Sequence, residues 1–183
     1  MVYVFLANGF EETEAICPID IMLRAGIEVT LVSVSDDLNV KGAHGMIFKA
    51  DKKISEISVE DDQPELIMLP GGMPGTNNLL ASRPLREMLV YANDMGMPIA
   101  AICAAPMILG KLGILEGRVA TCYPGFEDEL VGAKTSKLLR VVTSENIITA
   151  AGMGVATQFG LAIVSKIRSR SEAKKIEKAI MFR

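Results

Sequence analysis

The sequence is poor in the residues from which metal centres and disulfide frameworks are built. It holds one histidine, His44, which excludes a multi-histidine metal centre. Its three cysteines, Cys17, Cys103 and Cys122, are odd in number and show no CxxC spacing, so neither a disulfide framework nor a cysteine zinc site is expected. Positive charge is not in excess either: the formal net charge is -3 and the pI is near 5.3, whereas nucleic-acid binding wants a basic field. The lysines and arginines between Lys166 and Lys178 are interleaved with Glu172 and Glu177, the pattern of a solvated helix face. No apolar run reaches the ~18 residues of a bilayer span; that from Met97 to Gly110 is broken by Pro98 and Pro106. The opening Met1–Leu6 run is too short for a signal peptide and has no basic region before it. These absences predict a soluble, cytoplasmic protein with free thiols, no metal or cofactor, and no nucleic-acid or membrane partner.

What is present is enough apolar material for a buried core, half of 183 residues, in a length that fits one domain over 1–183. Residues 2–6 read as a buried strand, Asn8-Gly9 as a turn, and Glu11 to Ala25 as an apolar-periodic helix with a kink at Pro18. Gly26 ends that helix, and Glu28 to Val34 is a β-branched strand. A strand–helix–strand unit with short connections predicts a parallel sheet. The pattern then continues: a short hairpin around Met46–Ala50, a strand at 65–69 ending in Pro70-Gly71-Gly72, helix from Asn77 to Asp94, a strand from Met97 to Cys103, and helix from Ala104 to Leu112. A hairpin pairs Lys137–Val142 with Asn146–Ala150, and a helix from Val155 to Ile167 restarts after the capping box Ser169-x-x-Glu172. No repeat, linker or Walker lysine motif interrupts this. Gly152-x-Gly154-x-x-Thr157 imitates a dinucleotide motif, but no strand follows to carry an acidic residue, so a nicotinamide site is rejected. The fold class expected is α/β: a doubly wound, mostly parallel sheet with helices on both faces.

In such sheets ligands bind where strands end and helices begin. Three strand ends carry unusual residues: Gly9 with Glu11, Glu12 and Glu14; Pro70-Gly71-Gly72; and Cys103. Ala101-Ile-Cys103-Ala-Ala105 keeps residues small two before and two after the cysteine, the steric requirement of a nucleophile elbow. A thiol facing a helix N-terminus there is expected to titrate below ~8.5; the alternative is a small buried hydrophobe. The amides of Gly71, Gly72 and Ala104 could form an anion or oxyanion pocket. Glu14, partly shielded from water, would be neutral and donate to a Cys103 thiolate. Glu11 and Glu12 are accounted for as helix-terminal acids complementing the macrodipole.

Gly9-Phe-Glu-Glu-Thr-Glu14, Pro18-Ile-Asp20, Arg24-Ala-Gly26, Leu69-Pro-Gly-Gly72 and Ala100-Ala-Ile-Cys-Ala-Ala-Pro106 together resemble the ThiJ/PfpI superfamily, and within it the DJ-one/ThiJ-like branch, over nearly the whole length. The resemblance implies a flavodoxin-like homodimer with a readily oxidised cysteine beside a protonated glutamate, roles that fall on Cys103 and Glu14. It places backbone donors at Gly72 and Ala104, and sets Asp20 and Arg24 near the pocket and the dimer interface. Two departures matter. Ala104 stands where PfpI-type proteases and amidases have histidine, and Cys122 where many relatives of the branch have a pocket histidine. A Cys-His hydrolase is therefore disfavoured. His44 is either a surface turn residue or a residue reaching across the dimer. Cys122 is either a thiol that resolves an oxidised Cys103 or a buried spectator; Cys17 is core packing.

Two functions share this thiol. One is a cofactor-independent glyoxalase or deglycase-like action on small reactive aldehydes through Cys103 and Glu14. The other is a redox sensor or chaperone in which an oxidant modifies Cys103. PfpI-like amide hydrolysis is a weaker third, and no residue supports thiamine biosynthesis.

Overall fold

Alternation along the first strand sets the architecture. In β1 (Val2–Leu6) every residue is buried, with Val2, Val4 and Leu6 in one apolar cluster and Tyr3 and Phe5 in another. A strand buried on both faces lies inside a sheet covered on both sides. A computed structural model describes residues 1–136 and 138–182. In it β1 leads into α1 (Glu12–Arg24), β2 (Val29–Ser33), a hairpin of β3 (Asn39–Lys41) and β4 (Ile47–Lys49), and the edge strand β5 (Lys52–Lys53). The one-turn helix α2 (Val59–Asp62) precedes β6 (Leu66–Leu69), α3 (Gly75–Ala81) and α4 (Arg83–Asp94). Then come β7 (Ile99–Ile102), α5 (Pro106–Lys111), a short parallel pair of β8 (Val119–Ala120) and β9 (Lys134–Thr135), and the hairpin of β10 (Val141–Ser144) and β11 (Ile147–Ala150). Helices α6 (Ala156–Ile167) and α7 (Arg170–Ala179) follow.

The central sheet has seven strands in the order β10-β11-β7-β6-β1-β2-β5. Its pairings are parallel except β10 with β11. Helices α1, α6 and α7 cover one face, through Ile21, Met22, Phe159 and Ile176 among others. Helices α3, α4 and α5 cover the other, through Leu79, Leu89 and Ile108. Each such aliphatic side chain contributes about 1.5–3 kcal/mol by burial. This is the mostly parallel, doubly covered sheet that the sequence predicts.

Local chemistry refines the boundaries. The helix expected over Asn77–Asp94 is two, because Pro84 lacks an N–H and Ser82 instead caps α4 by accepting the Leu85 N–H. Helix α1 runs on through Pro18. Pro18 meets α6 at Gly160, where a Cβ would come within 3.0 Å of the Pro18 Cα. Lys137, where the sequence reading begins a strand, lies outside the described residues. Among the described residues no helix is long and apolar enough to cross a membrane.

Candidate active site

β1, β6, β7 and β11 end side by side, and the residues just past those ends converge. Directly after β7, Cys103 adopts a left-handed backbone with φ of 66°, a conformation costing a non-glycine residue roughly 1–2 kcal/mol. The turn is fixed at both ends: the Cys103 N–H donates to the Ala150 carbonyl and the Cys103 carbonyl accepts from the Tyr123 N–H, each at 2.8 Å. Strain held by surrounding hydrogen bonds at a strand-to-helix turn is the geometry of an elbow that presents its side chain. Cys103 is partly buried, and the Gly72 and Ala104 N–H groups lie towards its sulfur and favour the thiolate. Two aimed amides serve it, not a helix dipole; α5 has only six residues and begins at Pro106.

Glu14 arrives from the first turn of α1. Glu11 caps that helix, its carboxylate accepting the Glu14 N–H at 2.6 Å. The Glu14 side chain is buried, accepts the Gly71 N–H at 3.1 Å and lies beside Cys103 and the Met153 N–H. Gly71, expected to serve an oxyanion, therefore spends its N–H on orienting this carboxyl. No larger residue fits there. A Cβ on Gly71 would lie 2.5 Å from the Cys103 Cβ and 2.6 Å from Glu14 Oε2.

Burial lifts the Glu14 carboxyl from 4.5 to about 7, and the nearby Glu11 charge adds to the rise. Burial also pushes the Cys103 thiol up to about 12, the Glu14 carboxylate reinforcing this and the Gly72 and Ala104 amides opposing it. Desolvation outweighs the two amides while Glu14 is ionised, which opposes the acidification expected of this position. Thiol with carboxylate, and thiolate with carboxylic acid, differ by one proton moved between these two neighbouring groups. A carboxyl titrating near neutrality is suited to moving it.

A crevice of about 740 Å³ opens beside this pair, walled by Tyr123, Arg140 and the Gly152–Gly154 turn. Its wall reaches both partners, for the Tyr123 N–H bonds the Cys103 carbonyl and a Cβ on Gly152 would lie 3.8 Å from Glu14 Oε1. Cys122 also lines the crevice but packs in the apolar cluster with Ile147 and Ala120, whereas Cys103 packs against the cluster on the opposite face. Burial raises its thiol to about 11. Asp20 and Arg24 form an exposed pair at 2.6 Å and line a different cavity with Cys17 and Thr157, so the structure does not bring them to Cys103. Cys17 sits 3.4 Å from Thr157 Oγ1.

Glu12 departs from its reading as a helix-terminal acid. It is buried and accepts both the His44 N–H at 2.8 Å and His44 Nδ1 at 2.7 Å. Nothing local in the sequence signals this contact, which joins residues far apart in the chain. His44 is an exposed turn residue held by its own chain's carboxylate. Glu11, Glu12 and His44 bring ligand atoms within 4.8 Å of one another. Both Glu12 oxygens are already engaged by His44, and Glu11 is engaged as the α1 cap. The Met153 amide and Arg140 are further site features that the sequence reading did not single out.

Comparison with known proteins agrees with this fold. A model of the DJ-1/PfpI family matches residues 1–166. The chain is 36% identical over its full length to DJ-1 homolog B of Arabidopsis thaliana, and spans less than half the length of this relative and of DJ-1 homolog A from the same plant. It is 31% identical over 132 residues, 72% of this chain and 77% of the relative, to a Pyrococcus abyssi protein named a deglycase. A solved structure of oxidised Toxoplasma gondii DJ-1 superimposes with a TM-score of 0.92 at 38% identity, covering 98% of this chain and 97% of that one.

Proposed function

The chain belongs to the DJ-1/PfpI family, and on that premise we propose that it acts without a cofactor on small reactive aldehydes, as a glyoxalase or deglycase-like enzyme. The observation that carries this reading is the strained Cys103 with a buried, near-neutral Glu14 carboxyl packed beside it against Gly71. With an α-oxoaldehyde, the Cys103 proton passes to Glu14 as the sulfur–carbon bond forms and the aldehyde π-bond becomes an alkoxide. That oxygen takes the proton back from Glu14, giving a hemithioacetal and restoring the carboxylate. Glu14 then removes the proton from the former aldehyde carbon and returns it to the neighbouring carbon, while the hydroxyl proton passes to the neighbouring oxygen. The product is a thioester of a 2-hydroxy acid, and water releases the acid and the thiol. The net change is addition of one water, with no external oxidant or reductant. The Gly71 and Met153 amides keep the carboxyl aimed throughout.

The naming of the P. abyssi relative as a deglycase supports this class of substrate. A second reading, oxidation of Cys103 in a redox sensor, is favoured by the partial exposure of the sulfur and by the oxidised state of the T. gondii relative. Turnover of methylglyoxal by the purified protein separates the two. Turnover lost in Cys103→Ser supports the enzyme, and its absence from the unmodified protein leaves the sensor.

A further inference from the structure

The crevice beside Cys103 is not chemically neutral. Arg140 stands on its wall at the start of the β10–β11 hairpin. Its backbone carbonyl accepts the Ala151 N–H at 2.8 Å, which ties it to the strand end that also holds Cys103. Its guanidinium reaches Gly154, where a Cβ would lie 3.3 Å from Arg140 Nη2. Gly154 adjoins Met153, whose N–H holds Glu14. The guanidinium thus lies one residue along the chain from the group that orients the Glu14 carboxyl.

Arg140 takes part in no ion pair among the described residues. Thr135 and Ser136 add hydroxyls to the same crevice. Glu127, the acid on its wall, accepts the Gly125 N–H at 2.7 Å. A guanidinium with no carboxylate partner among the described residues, flanked by hydroxyls, is suited to a planar or tetrahedral oxyanion.

We infer that Arg140 is a specificity residue, and that the aldehydes taken by this site carry an anionic oxygen group, a carboxylate or a phosphate, close to the reacting carbonyl. The inference rests on the reading of Cys103 as the nucleophile. The guanidinium holds the anionic end in the crevice while the carbonyl reaches the sulfur, so Arg140 positions the substrate and takes no part in bond making.

The test compares two alkylating reagents that differ in charge. Iodoacetate and iodoacetamide both form a sulfur–carbon bond with loss of iodide, the thiol proton passing to Glu14 or to solvent; only iodoacetate is anionic. Rates at Cys103 are measured by peptide mass spectrometry in the wild type, Arg140→Gln and Arg140→Lys. Arg140→Gln is expected to slow iodoacetate about tenfold, the effect of one charge-assisted hydrogen bond, and to leave iodoacetamide unchanged. The iodoacetamide rate also reports whether the variant has kept its fold. Arg140→Lys should restore part of the iodoacetate rate, and added salt should slow iodoacetate alone. Protection of Cys103 by glyoxylate, set beside protection by inorganic phosphate, tells which anion the crevice prefers. An iodoacetate to iodoacetamide ratio unaltered in Arg140→Gln overturns the inference and leaves the nucleophile reading intact. A Cys103 inert to both reagents overturns that reading and the inference with it.

Discussion

Burying a carboxyl with only backbone amides and a thiol for company should leave a pH signature on stability, and replacing Glu14 by Gln isolates it. The measurement is best made in a Cys103→Ser background, where residue 103 no longer titrates. Burial holds the Glu14 carboxyl at about 7 against an ordinary 4.5. Between those values the unfolded chain releases the Glu14 proton while the folded chain keeps it. The folded state then binds more protons, so the free energy of unfolding falls as pH rises through this window and is flat on either side. At ~1.36 kcal/mol per pH unit, the interval amounts to about 3 kcal/mol. Glutamine does not titrate and keeps the carbonyl that the Gly71 and Met153 amides address. The stability of Glu14→Gln relative to its parent should therefore rise by about 3 kcal/mol between pH 4.5 and pH 8. Urea unfolding curves at half-unit pH intervals measure it. A difference that stays constant over that range would refute burial as the cause of the shift.

Three further expectations follow from the same geometry. Gly71→Ala should destabilise the protein by about 1–3 kcal/mol through overpacking and abolish turnover, because its Cβ would fall against Cys103 and Glu14; thermal unfolding with an aldehyde assay checks both. Because Glu14 can take the Cys103 proton as the sulfur attacks, limiting iodoacetamide followed by peptide mass spectrometry should find Cys103 labelled ahead of Cys17 and Cys122, and preferential labelling of either would move the chemistry elsewhere. The protein should be a homodimer by light scattering at micromolar concentration, with the exposed Ile16 and Leu23 of α1 at the interface; a stable monomer would remove that assembly.

Much of this was legible in the sequence because it depends on local steric rules. The unbroken apolar run of 2–6, the Gly26 and Pro70-Gly71-Gly72 stops, and the small residues around Cys103 each express a constraint within a few residues. They place the strands, and they place Cys103 at the turn directly after β7. The acid–thiol contact was anticipated from strand-end convergence together with the family resemblance. What escaped was set by distant contacts. The Glu12 carboxylate reads as a helix-terminal acid until the 42–45 turn folds onto it and delivers two donors from His44. The use of the Gly71 amide is decided by where Glu14 points. The charge state of Cys103 turns on a balance between burial and two amides, which no local pattern records. Arg140 enters the site only because β10 pairs with β11 and brings it beside Gly154.

The central claim is that Cys103 is the nucleophile and Glu14 its proton carrier. Steady-state turnover of methylglyoxal, measured beside iodoacetamide labelling of Cys103, tests it on three proteins: wild type, Cys103→Ser and Glu14→Gln. An amide can hold the pocket together but cannot carry a proton between carbons. The account predicts that Cys103→Ser loses turnover, that Glu14→Gln loses turnover while Cys103 can still be labelled, and that the wild type shows both properties. Turnover that persists in Glu14→Gln at the wild-type rate would contradict it.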